Sequence, residues 1–359
     1  MSDPRAPHAA LAAWKALRAS GAAHGALVTL VRADGGAARS LGTHLALAED
    51  GRTFGSVTVG GCADGRALEA AGRVLSSGVP EQLTVPMSEA DALALGLGCA
   101  GDVDLLVEQV SMEPADGIGQ AFDAAATASG QGMRAILLAP LSTGVRGRLL
   151  VRADGVRAGG TGDVARDERA TSLAMETMSR DGLAGIRELD GDRWFLQPLA
   201  PPRTLLVVGA TEVAAALCAL VAPLGWRLVL LDPRDEVLSQ RRFSLAAERV
   251  PSIPAEVVRR RLEGIDAPAV VVVAHDYRVE LPVLQAALTS DSPYVGMLGS
   301  RRRGATMRQM LAEDGVPADR VARLRSPIGL AIGAEGPAEI AVSIVAELIA
   351  AWRGAAPRA

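Results

Sequence analysis

The chain has 359 residues, 49% of them hydrophobic, with a formal charge of −4 and three cysteines. That length suggests about two domains of roughly 150 residues each, and the charge excludes a sequence-independent nucleic-acid binder. Three cysteines cannot build a disulfide framework, which fits a reducing compartment and predicts a cytoplasmic protein.

In chain order, "PHAALAAWKALRAS" predicts a helix that stops near Gly21, after an N-terminus lacking the apolar segment of a secretory signal. "GALVTLVRADG" is the first strand. "THLALAEDGRTFGSVTVGG" reads as a hairpin turning at Asp50-Gly51, with Val57 and Val59 on one face and Ser56 and Thr58 on the other. A helix follows from about Asp64, with Leu68, Ala71 and Leu75 on one side and Gly78 past its end. "VDLLVEQV" is a strand, "QAFDAAATAS" a short helix, and "RAILLAPLS" and "GRLLVRADG" a strand pair. No internal repeat is evident.

Pro198, Pro201 and Pro202 in "FLQPLAPPRT" predict a stiff linker, because proline cannot continue a helix or an interior strand. The expected domains are 1–198 and 203–359. Beyond the linker, "TLLVVGA", "RLVLLDP" and "AVVVVAH" are near-continuous apolar strands, the pattern of a parallel sheet buried on both faces. The expected fold class is α/β: an N-terminal α+β domain with hairpin strands, then a Rossmann-like doubly wound parallel sheet. The most apolar stretch, Leu205 to Asp232, is broken by Gly209, Glu212, Pro223 and Arg227, so it reads as a buried strand–helix–strand unit and not as a membrane span. "GPAEIAVSIVAELIAAWRG" closes the chain as a helix, with Pro337 at its first position and Gly354 at its stop.

The chemistry-bearing candidates fall in both halves. Cys62 follows Gly60 and Gly61 at a helix start. From the residues alone it reads either as a reactive or ligating thiol or as a small residue beside a turn. In "GATEVAAAL" Gly209 supplies the tight turn of a dinucleotide loop, Thr211 stands at the second glycine position and Ala214 at the third. Asp232, 23 residues after Gly209, stands where a ribose-binding acid belongs. A Rossmann scaffold kept for packing is the alternative. Cys218 reads as a plain core residue. His275 follows the third strand and suits a phosphate contact, a proton shuttle or a structural hydrogen bond. "GMLGSRRRGATM" puts Gly299, Ser300, Arg301, Arg302 and Arg303 at a helix start, as an anion site or a solvated helix end. The Pro/Gly-rich "LRSPIGLAIGAEGP" before the last helix is a candidate site-lining loop.

Together, "GGAARSLGTHLALAEDGRTFGSVTVGGC", "LGLGCAGDVDLLVE", "LLDPRDE", "YVGMLGSRRRGATM" and "SPIGLAIGAEGPAEIAVSIVAELIA" resemble the XdhC/CoxI family over nearly the whole chain. Its members are accessory proteins in maturation of xanthine dehydrogenase, CO dehydrogenase and related molybdenum hydroxylases. The resemblance implies a non-catalytic chaperone. It would bind molybdenum cofactor, as molybdopterin or molybdopterin cytosine dinucleotide, during sulfuration and deliver it to an apo molybdenum hydroxylase. A cysteine desulfurase or cofactor-transfer protein is the further implied partner, and a homodimer the implied assembly. Carried over, Cys62 is the cysteine implicated in holding the cofactor and its molybdenum, and Cys99 the second. Arg39, Arg301 and Arg302 become candidates for its phosphate or nucleotide. The departures are Asp64 for a usual glutamate, Ala100 inside the second cysteine segment, Ser40 and Leu41 beside Arg39, Thr211 and Glu212 in the Rossmann loop, and Ala331 for a usual aspartate. Two other functions stay open: an NAD(P)-dependent oxidoreductase, supported by Asp232 and opposed by Thr211, and a sulfurtransferase carrying a persulfide on Cys62.

Overall fold

The computed structural model describes residues 11–34, 40–58, 60–86, 101–113, 116–142, 144–180, 184–252, 255–263 and 268–354. The chain divides into two compact units, Met1–Pro202 and Arg203–Ala359.

The first unit runs α1 (Ala12–Ala19), β1 (His24–Ala33), β2 (His44–Ala48), β3 (Thr53–Gly55), α2 (Asp64–Ser77), β4 (Glu81–Val85) and β5 (Val103–Ser111). It continues with α3 (Gly117–Gly130), β6 (Ala135–Pro140), β7 (Arg148–Arg152), β8 (Arg157–Gly160), α4 (Val164–Arg180), β9 (Gly185–Leu189) and β10 (Asp192–Leu199). The first sheet is ordered β3-β2-β1-β5-β4 and the second β8-β7-β6-β10-β9. Every pairing in both is antiparallel. Adding five to each label of the first sheet yields the second, and the helices fall at the same places. The unit is therefore built from one α-β-β-β-α-β-β plan used twice, contrary to the expectation of no repeat.

The hairpin turns repeat in atomic detail. The amides of Gly51 and Ala48 bond the carbonyls of Ala48 and Arg52; those of Gly155 and Arg152 bond the carbonyls of Arg152 and Val156. Gly51 and Gly155 take φ of +87° and +83°, which only glycine adopts without strain. The two copies share too little sequence for the plan to show as a repeated motif.

Alternation along the strands sorts the core into layers. Leu27, Ala46 and Val110 of the first sheet meet Leu137, Leu150 and Leu199 of the second, with α1 and α3 completing that core. The opposite face of the first sheet packs on α2 through Ala67, Ala70, Ala71 and Val74. The opposite face of the second packs on α4 through Ala170 and Ala174.

Two local readings are corrected. The strand after Asp50-Gly51 ends at Gly55, short of "SVTV". Gly55 has φ +83°, and a Cβ there would lie 2.5 Å from the His44 carbonyl, so the chain leaves the ladder. Val57 and Thr58 are then both fully buried instead of alternating; Val59 lies outside the described residues. Secondly, Phe195–Leu199 is strand and not linker. Pro198 is tolerated because β9 pairs only as far as Leu196, so among the described residues the strand has no ladder partner on that side at the proline.

The second unit runs β11 (Thr204–Val208), α5 (Glu212–Val221), β12 (Arg227–Leu231), α6 (Asp235–Leu238), a 3₁₀ turn at Arg241–Phe243, β13 (Glu248–Val250), α7 (Ala255–Arg261) and β14 (Ala269–Val272). Then follow α8 (Tyr277–Leu288), β15 (Val295–Met297), α9 (Arg301–Glu313), α10 (Ala318–Val321), β16 (Leu324–Arg325) and α11 (Pro337–Arg353). All six strands are parallel, in the order β13-β12-β11-β14-β15-β16. Counted within the unit this is 3-2-1-4-5-6, the doubly wound nucleotide-binding arrangement, with its switch point between β11 and β14. The α5 and α11 side and the α7, α8 and α9 side each carry their own apolar core. Among the described residues no helix is long and apolar enough to cross a membrane.

Candidate functional site

In the first unit the structure gathers Gly60, Gly61, Cys62 and Asp64 into the loop that starts α2. Gly60 and Gly61 have φ of +89° and +75°. Among the described residues, a Cβ on Gly60 would meet no atom within 4 Å, and one on Gly61 only the Asp64 carboxylate at 3.5 Å. No described residue other than Asp64 crowds the space over the glycines. Ala63 is the N-cap of α2 and offers no side-chain cap; Cys62 therefore stands one residue before the N-cap. Thr58 accepts the Ala63 amide at 3.2 Å, and Asp64 reaches back to accept the Val57 amide at 3.1 Å. Asp64 thus shapes the loop, whatever else it touches. Cys62 is half-buried against the apolar core under α2. Cys218 is fully buried in α5, and burial pushes its thiol up to about 11. Arg39 and Cys99 lie outside the described residues. Among the described residues no three His, Cys, Asp or Glu side chains converge to hold a metal ion.

In the second unit Gly209, Asp232, His275, Gly299, Ser300, Arg301 and Arg302 all lie at the C-terminal ends of the strands, where ligands bind in such sheets. Gly209 has φ +107°, and a Cβ there would come within 2.7 Å of the Ala274 amide nitrogen. That is the close strand-to-strand approach the switch point demands. Thr211 is the N-cap of α5, its hydroxyl accepting the Ala214 amide at 3.4 Å. The side chain that stands in a glycine's place is thus used to cap the helix. Beside it exposed Glu212 pairs with Arg242.

The three adjacent arginines separate. Ser300 caps α9 by accepting the Arg303 amide at 3.2 Å. Arg301 and Arg302 are exposed and make no ion pair among the described residues. Arg303 turns inward. It pairs with the fully buried Glu280 at 2.5 Å, lies 3.5 Å from His275 Nδ1 and stacks 4.8 Å over Tyr277. Burial pushes the Glu280 carboxyl up, against the pull of Arg303. Exposed His275 is therefore held at the mouth by a guanidinium whose charge is answered from below.

Three groups escaped the sequence reading. Glu280 sits on a helix face with nothing in its spacing to mark it as buried. Glu347 on α11 accepts the Tyr294 hydroxyl and, at 2.7 Å, the Gly329 amide, fixing the root of the loop after β16. Arg234 holds Asp232; "DPRDE" contained both residues but not their pairing.

A family model described as the XdhC Rossmann domain matches residues 205–348, and one described as the XdhC and CoxI family matches residues 17–86. The chain is 26% identical over 331 residues to a probable xanthine dehydrogenase subunit of Bacillus subtilis, covering 90% of this chain and 92% of that one. It is 28% identical over 326 residues to the molybdenum cofactor insertion chaperone PaoD of Escherichia coli, covering 90% and 81%. A crystal structure described as a xanthine dehydrogenase from Bacillus halodurans superposes with a TM-score of 0.75 at 24% identity, over 99% of this chain and 97% of that one. At that identity the likeness establishes the shared fold.

Proposed function

The chain belongs to the XdhC/CoxI family, and from that premise we propose that it binds molybdenum cofactor and assists its sulfuration and insertion into an apo molybdenum hydroxylase in the cytoplasm. The observation that carries this reading is the Cys62 loop: a half-buried thiol beside two glycines that, among the described residues, only Asp64 approaches. The loop's residues fit the cofactor. The thiolate is the ligating form of cysteine, and glycine lets a bulky ligand approach the backbone. Bound cofactor would bring a molybdenum centre for the client enzyme's chemistry; the chain's part is to hold and orient it. Cys62 would meet the metal end of the cofactor; Arg301 and Arg302 are separate candidates, on the second unit, for a phosphate or nucleotide. Arg39 and Cys99 remain candidates on the family resemblance. The name of the relative PaoD supports a cofactor-insertion role. The partners would be the apo-hydroxylase, a cysteine desulfurase or cofactor-transfer protein, and a second copy of the chain.

The test is metal and pterin analysis of protein co-expressed with the cofactor pathway, wild type against Cys62→Ala. Wild type should carry molybdenum and pterin, and the variant should lose most of both. Equal loading would remove Cys62 as the anchor. A Cys62 that carries no cofactor but gains the mass of one sulfur from a desulfurase would favour the persulfide reading. The oxidoreductase reading draws on the strand order at the switch point, and it would gain if neither protein carried cofactor while NADPH bound.

A further inference from the structure

At the end of β12 the residue placed to read a ribose has no acceptor left to offer. Asp232 is buried, its side chain 3% exposed. Its Oδ2 accepts the Ala210 amide at 2.8 Å and Arg234 Nη2 at 2.8 Å. Its Oδ1 accepts the Arg234 amide at 3.0 Å and Arg234 Nε at 2.8 Å. A carboxylate has about four acceptor positions, and here each is taken from within the chain. Arg234 is fixed in the opposite sense. One edge of its guanidinium is locked to the carboxylate, while the side chain remains 55% exposed. Locking an arginine fork before a ligand arrives removes the entropy that binding would otherwise cost.

We propose that Arg234, held flat by Asp232, is a nucleobase-stacking residue of the second unit, and that the ligand part it takes is the base of a nucleotide and not a phosphate. Three observations favour a ring over an anion. Asp232 already neutralises the guanidinium. Asp235 and Glu236 follow it as exposed carboxylates. Glu212, exposed and already paired with Arg242, puts a carboxylate at the start of α5, where a dinucleotide's pyrophosphate would otherwise sit. An added phosphate would meet net negative charge, whereas a planar guanidinium stacks on any flat heteroaromatic ring. Arg234 stands two residues past the usual ribose-acid position at the end of β12, so a nucleotide seated there would bring its base to the guanidinium. This deepens the proposed cofactor reading, and rests on it only in taking that nucleotide to be the cofactor's cytidine extension.

The experiment uses the full chain without cofactor, with the Arg234 Nε–H resonance followed by NMR while cytidine, adenosine, CMP and free pterin are added. Cytidine and CMP should both shift that resonance, with affinities within about twofold of each other. Arg234→Lys keeps the charge but loses the plane, and should weaken cytidine by about tenfold or more, the scale of one stacked base. A resonance that moves with CMP but not cytidine, with pterin but with neither nucleoside, or with none of the four would overturn the proposal, as would a lysine variant that binds like wild type. Because no molybdenum enters the titration, its failure is separable from that of the Cys62 comparison: a chain that loads cofactor yet ignores nucleosides loses only the role given to Arg234.

Discussion

Arg148 is fully buried between the two sheets of the first unit. Its Nε donates to Glu108 at 2.7 Å, its Nη2 donates to Thr29 at 2.7 Å, and its guanidinium lies 5.3 Å over Phe122. Burial pushes the Glu108 carboxyl up while Arg148 draws it down. Arg148→Ala would leave a buried carboxylate without its cation, so a loss of about 3–5 kcal/mol is expected by urea denaturation. Replacing Arg148 and Glu108 together with apolar residues should cost far less. The two thiols make a second contrast. Half-buried Cys62 should alkylate in the native protein, whereas Cys218, buried and pushed up to about 11, should react only after unfolding. Mass mapping after brief iodoacetamide treatment checks both. Cys218 could be read as core from its apolar helix. Arg148 could not: "GRLLVR" shows a strand, but which face an arginine takes is decided by Glu108, forty residues earlier.

The helix α5 and the strands beside it show how a motif can keep its shape while its groups change jobs. Thr211 caps the helix and Asp232 ties the Gly209 loop to Arg234. Gly209, Thr211 and Asp232 were all readable as positions of a dinucleotide loop, because their spacing follows from the strand–turn–helix geometry. Their hydrogen bonds were not readable, since each depends on a neighbour that spacing does not choose. Two outcomes follow at this scale. Gly209→Ala would force a Cβ to within 2.7 Å of the Ala274 backbone at a φ of +107°. The second unit should lose stability by more than the roughly 1–3 kcal/mol of a strained backbone alone, read as a lowered melting transition. The Asp232 carboxyl is raised by burial, but its hydrogen bonds from Arg234 and Ala210 outweigh that and hold it below the usual range. A lowered folded value stabilises the native state above the unfolded value of about 3.9, and that stability fades as pH falls through the folded one. Asp232→Asn should therefore be less stable near neutral pH and lose less on acidification below about pH 4. Denaturation midpoints at several pH values give the slope for each protein.

On the scale of the whole chain, the α/β class and the change of pattern near Pro198 could be read because buried parallel strands and half-buried hairpin strands have different hydropathy periods. The doubled plan of the first unit could not be read. It is carried by strand order and by matching turns at Asp50-Gly51 and Asp154-Gly155, while the residues between have diverged. The doubling has a mechanical consequence. Phe195 of the second sheet packs with Val31 and Leu106 of the first and with Ala139 and Leu141 of its own copy, all in one buried cluster. A core shared in this way should make the two copies one cooperative body. Phe195→Ala should cost about 3–5 kcal/mol, the usual loss for an aromatic removed from a packed core. Hydrogen exchange followed by mass spectrometry then separates two architectures. If the copies stand or fall together, amides of β1 and β5 should speed up along with those of β6 and β10, while β11, β12 and β14 keep their wild-type rates. If exchange rises only in the second sheet, each copy holds itself together and the shared core is merely a contact between two independent folds.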